Sequence, residues 1–137
     1  MLAANGTMTP NTILWQQTVA VVPNTDYQFS TWVSSWYPLS PARLDFLFND
    51  QSIGVFTAPF NAGIWSQFAA AWNSGPNSLL TIKIIDRNTD FSGNDFAIDD
   101  ISLLGPSASV VPEPTTWILL GFGLTGLAGY ARHQLHR

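Results

Sequence analysis

The chain has 137 residues, nine acidic against five basic side chains, a formal net charge of −4, only 10% charged residues and no cysteine. The lack of cysteine excludes a disulfide framework and a thiolate metal site, and no cluster of Lys and Arg offers a footprint for a nucleic acid. This length provides for one small core and a tail.

At the amino end, Met1-Leu2-Ala3-Ala4-Asn5-Gly6 has no basic stretch followed by an apolar run, so it is no secretory signal peptide. The expectation is a chain truncated at this end, with a leader and the first strands encoded upstream. From residue 13 to residue 104, short segments with period-two alternation succeed one another between turn residues, which is the pattern of strands with one buried face. The predicted strands are 13–22, 27–36, 44–48, 52–56, 65–72, 79–85 and 96–104, punctuated by Pro23-Asn24, by Pro38 and Pro41, and by Asn49-Asp50. Leu44, Phe46 and Phe48 share one face, as do Leu80, Ile82 and Ile84; Tyr27, Phe29 and Val33 share another. The fold expected is all-β, an antiparallel jelly-roll-type sandwich over 1–104, followed by a linker at 105–111.

Trp32 and Trp36 fall on the side of their strand away from Tyr27 and Phe29, and Tyr37 lies at the strand's end. An aromatic face can stack on the apolar face of a sugar ring, by analogy with the platforms on which bases stack. Trp32, Trp36 and Tyr37 are therefore the carbohydrate-binding candidates. Core or inter-strand packing is the competing use, and it is the one expected of Trp15, Trp65 and Trp72. Residues 86–95 offer oxygens at alternate positions but carry Phe91 where a calcium loop of the EF-hand kind needs glycine, and they read as a hairpin connection.

In the last strand the alternation slips at Asp99-Asp100. Phe96 and Ile98 face one way and Ile101 and Leu103 the other, as at a β-bulge. A carboxylate turned inward there must be paired, hydrogen-bonded or bound to a metal, which makes Asp99 and Asp100 candidate calcium ligands. A strand-end pair satisfied by backbone donors is the alternative. No cofactor is certain, and structural calcium is the one considered. Catalysis has little to work with: His133 and His136 lie in the tail, Glu113 is the single glutamate, and adjacent aspartates on a strand cannot flank one glycosidic bond.

The tail runs from Val111 through Pro112-Glu113-Pro114, an uncharged segment at 115–131, and a basic end at 132–137 that holds Arg132 and Arg137. As a helix the uncharged segment would be about 25 Å long, slightly short of a hydrocarbon core of about 30 Å, a mismatch that bilayer thinning and snorkelling of Arg132 absorb. Trp117, Leu120, Phe122, Leu124 and Leu127 leave it no polar face. A single C-terminal transmembrane helix is expected, with its basic end on the cytoplasmic side. Gly121, Gly123, Gly126 and Gly129 each weaken such a helix by about 1 kcal/mol. That suits a segment handled by an enzyme, or, through Gly121, Thr125 and Gly129, a helix-packing stripe.

Val111-Pro112-Glu113-Pro114, a single apolar span and a terminal basic cluster resemble the PEP-CTERM sorting signal, a tail also catalogued as the ice-binding protein C-terminal domain. The resemblance implies recognition at the inner membrane by an exosortase-type membrane transpeptidase and transfer to the cell envelope or the extracellular space. Gln17-Thr18-Val19, Tyr27-Gln28-Phe29, Trp65-Ser66-Gln67-Phe68 and Asp95-Phe96-Ala97-Ile98-Asp99-Asp100-Ile101 in turn resemble part of a galactose-binding-like, carbohydrate-binding-module-like β-sandwich. That resemblance implies a polysaccharide partner and a structural calcium near the last strand. The resulting expectation is a non-enzymatic, envelope-targeted or secreted module associated with exopolysaccharide. A purely structural matrix protein with no small ligand is the alternative, and an aspartate-based polysaccharide hydrolase a distant one.

Overall fold

In the computed structural model, which describes residues 1–106, the alternating segments form β2 (Ile13–Ala20), β3 (Asp26–Tyr37), β4 (Arg43–Phe48), β5 (Gln51–Thr57), β6 (Trp65–Asn73), β7 (Leu79–Asp86) and β8 (Asp95–Leu104), preceded by a short β1 (Leu2–Ala4). Two four-stranded sheets result. The front sheet has the order β1-β8-β3-β6 and the back sheet β2-β7-β4-β5. Every strand pair is antiparallel. The chain changes sheet at each connection except β4 to β5, which is the strand order of a jelly roll. At the front edge, β1 pairs with β8.

Local chemistry explains the one hairpin. Asn49 and Asp50 both have positive φ, 48° and 66°, the requirement of a two-residue type I′ turn whose twist matches the flanking strands. The 86–95 segment is not a hairpin connection, because it carries the chain from β7 in the back sheet to β8 in the front sheet.

Inward positions of both sheets meet in one core. Phe29, Val33, Leu44, Phe46, Phe48, Leu80, Ile82, Ile84, Phe96 and Ile98 are buried. Phe29 meets Phe48 edge-on at 5.3 Å, and Phe68 of β6 stacks on Phe46 of β4 at 4.3 Å. That stack needs Gly54, the β5 partner of Phe46, since a Cβ on Gly54 would come 2.8 Å from the Phe68 ring. Buried polar groups tie the loops together. Ser74 donates to the Val22 carbonyl at 2.7 Å and accepts from the Thr25 N–H at 2.8 Å, while Asp86 accepts from the N–H groups of Arg43 and Asn88, each at 2.9 Å.

The bulge read from the sequence is present. Between Ser30–Ser102 and Trp32–Asp99, β8 spends two residues where β3 spends one, and Asp100 takes a φ of 50°. Its consequence is a correction of phase: Ile101 and Leu103 return to the core side, where Phe96 and Ile98 already lie. Among the described residues no helix is long and apolar enough to cross a membrane. The expected transmembrane helix at 115–131, with Val111, Pro112, Glu113, Pro114, Arg132 and Arg137, lies outside the described residues.

Candidate functional site: the outer face of the front sheet

Alternation that buries Phe29, Thr31 and Val33 turns Trp32, Ser34 and Trp36 outward on β3. Register extends this pattern across the sheet. Trp32 lies between Gln67 of β6 and Asp99 of β8; Ser34 lies between Trp65 and Ala97; Ser30 lies between Ala69 and Ser102. Trp65 is therefore the diagonal neighbour of Trp32 and of Trp36, a relation that places side chains on the order of 7–8 Å apart. The three indoles form a zigzag over a floor of small residues.

All three are accessible, Trp32 at 38%, Trp36 at 65% and Trp65 at 38%. The packing role expected for Trp65 is thus corrected. It opens an edge strand, and the inward positions of β6 belong to Phe68 and Trp72, which pack against the core. Trp15 and Trp72 do pack there. Tyr37 is exposed at the end of β3, opposite Asp95 and beyond a second register shift.

Between Trp36 and Trp65 lies a cavity of about 460 Å³, floored by Ser34 and Ala97 and closed at one side by Ala62 and Gly63. Ser34 and Ala97 occupy outward positions and are nonetheless only 3% exposed, so the walls stand well above them. The 62–63 wall is held in place because Ser35 Oγ donates to the Pro59 carbonyl at 2.5 Å and the Gly63 N–H donates to the Ser35 carbonyl at 3.2 Å. Trp36 also borders a smaller cavity of about 210 Å³ with Asn5 and Asp95 on its other side. The large cavity thus presents indole surface, Met1 at its margin and the floor hydroxyl of Ser34, whose hydrogen bond to the Ser35 carbonyl is long at 3.4 Å.

Asp99 points to this same outer face. Its carboxylate accepts from the Met1 amino group at 2.8 Å and from the Asp100 N–H at 3.1 Å, contacts that hold it below the usual carboxylate range. Asp100 is exposed. A calcium ion needs six to eight converging oxygens. Among the described residues no three acidic, histidine or cysteine side chains converge as a metal site.

Residues 110–133 match the PEP-CTERM protein-sorting motif. A comparison with curated protein sequences finds no match. Among solved structures, the chain is similar to the C-terminal domain of EclA, a sugar-binding protein, with TM-score 0.62 and 12% identity over 73% of this chain and 71% of that one. It is also similar to the CBM22-1 xylan-binding domain of Xyn10C from Paenibacillus barcinonensis, with TM-score 0.47 and 15% identity over 64% of this chain and 62% of that one. Of these two likenesses, the first supports the sandwich fold. The chain is a β-sandwich with the fold of a known sugar-binding domain, followed by a PEP-CTERM protein-sorting motif.

Proposed function

We propose that the protein is a non-enzymatic, polysaccharide-associated module of the cell envelope or extracellular space, delivered there through its PEP-CTERM tail after handling by an exosortase-type transpeptidase. The observation that carries the binding half is the outward zigzag of Trp32, Trp65 and Trp36, three large aromatic side chains not spent on the core. Each indole has a flat apolar face that matches the C–H face of a pyranose, and stacking of this kind is worth roughly 1–3 kcal/mol by analogy with bases. The side chains of Gln67, opposite Trp32, and Ser34, opposite Trp65, supply neutral hydrogen-bonding groups for sugar hydroxyls. From Trp32 to Trp36 an extended strand covers about 13 Å, longer than one sugar ring, so the ligand is a segment of a chain.

Affinity electrophoresis of the full chain through gels containing different polysaccharides tests this. At least one polymer should retard the protein, and Trp36→Ala or Trp65→Ala should weaken retardation by roughly 5- to 150-fold, the equivalent of 1–3 kcal/mol. Retardation that survives both substitutions would remove the front face from consideration.

A further inference from the structure

Cations are distributed unevenly over the sandwich. Arg43 opens β4, Lys83 lies in β7 and Arg87 follows it, so all three basic side chains of residues 1–106 belong to the back sheet. Lys83 pairs with Asp50 and Arg87 with Asp45. The strands of the front sheet contain no Lys or Arg and carry Asp26, Asp95, Asp99 and Asp100. The cation that the structure does bring to the front face is the Met1 amino group, already in contact with Asp99.

Recognition of uronate or sulfate along a glycan draws on guanidinium or ammonium donors, Arg above all, because charge-assisted hydrogen bonds offset the desolvation of an anion better than neutral ones. A polyanion laid across Trp32, Trp65 and Trp36 would find no Lys or Arg on these strands and, as cation, the Met1 amino group at the Trp36–Trp65 cavity, which Asp99 already holds; it would also run past the carboxylates of Asp95 and Asp100. We infer that the front face selects uncharged polysaccharides and rejects uronate- and sulfate-bearing ones, its acidic margin acting as the repulsive half of the specificity. This rests on the sugar-binding reading above and adds the class of sugar. Indole stacking and hydroxyl contacts are indifferent to ionic strength, whereas repulsion between exposed charges is screened over about 10 Å at 0.1 M salt.

The test uses the full chain and two sets of gels, one set cast with xylan, mannan, galactan or β-glucan and the other with polygalacturonate, alginate or carrageenan, each run at low and at high salt. At least one neutral polymer should retard the chain equally at both salts, and every polyanion should retard it about tenfold less or not at all at low salt. Gln67→Lys, which sets an ammonium beside Trp32 on an exposed position, should raise low-salt retardation by the polyanions. Equal or stronger retardation by a polyanion at low salt, lost on Trp36→Ala, would overturn the neutral-sugar inference and leave the sugar-binding reading standing. Retardation by none of the polymers would overturn both.

Discussion

The two outer faces of this sandwich are built from the same alternation and used in opposite ways. On the back sheet, outward side chains are occupied with one another. Thr18 and Thr81 hydroxyls share a hydrogen bond at 2.9 Å across β2 and β7, Lys83 meets Asp50, and Arg87 holds Asp45 through Nε at 2.9 Å and Nη2 at 2.7 Å while also reaching Asn11. Asp45 further accepts from Ser52 Oγ at 2.6 Å and is only 4% exposed. On the front sheet the outward side chains are indoles, small residues and carboxylates with no Lys or Arg partner among the described residues. One face spends its polar groups on holding strands together; the other leaves three indoles open beside an acidic margin.

This contrast can be broken from either side. The largest effect is expected at Asp45. Asp45→Ala strands the Arg87 guanidinium and the Ser52 hydroxyl, at a cost of roughly 2–3 kcal/mol, below the usual loss for a fully buried pair because Arg87 remains about one-third exposed. A urea denaturation midpoint measures it, and polysaccharide retardation by the folded variant should not change. Next in size is Asp86, fully buried with Oδ2 lacking a hydrogen-bond partner among the described residues. Burial pushes its carboxyl above the usual range, against the two backbone N–H bonds that pull it down. Since the folded protein binds this proton more tightly than the unfolded chain, the ionised carboxylate costs stability at neutral pH, and the cost is relieved as pH falls through the folded value toward the unfolded one. The stability of Asp86→Asn minus that of the natural chain should therefore shrink as urea midpoints are taken from neutral pH down to about pH 4. A flat difference would mean that the folded and unfolded chains bind the Asp86 proton equally tightly. The smallest effect on stability is expected at the front face, where Trp36→Ala should shift the midpoint by no more than about 1 kcal/mol while removing most of the binding.

Much of this was legible in the alternation. The seven strands predicted from residue 13 onward are all found, because most have their apolar residues at every second position and stop close to Pro, Asn, Asp or Gly. The missed strand, Leu2–Ala4, has three residues and no β-branched side chain, and its pairing with Phe96, Ala97 and Ile98 depends on a partner far along the chain. Which strands share a sheet was equally hidden, since all but one connection crosses between sheets. At the candidate site, the outward phase of Trp32 and Trp36 could be read from β3 alone. Trp65 reads as core or inter-strand packing although its odd phase relative to Phe68 and Trp72 points outward, and only the Ser34–Trp65 register shows that it joins the other two. The bulge at Asp99-Asp100 was visible as a slip in alternation, but its effect, rephasing β8 so that Ile101 and Leu103 regain the core, needed the pairing with β3.

The central claim, that the front face is the binding surface, is tested most directly by following the indole N–H resonances of the full chain during titration with oligosaccharides from a polymer that retards it. The account predicts that signals of Trp32, Trp36 and Trp65 shift together and saturably, while those of Trp15 and Trp72, packed against the core, stay in place. Shifts confined to Trp15 or Trp72, or saturable binding that leaves all three front-face indoles unmoved, would contradict it.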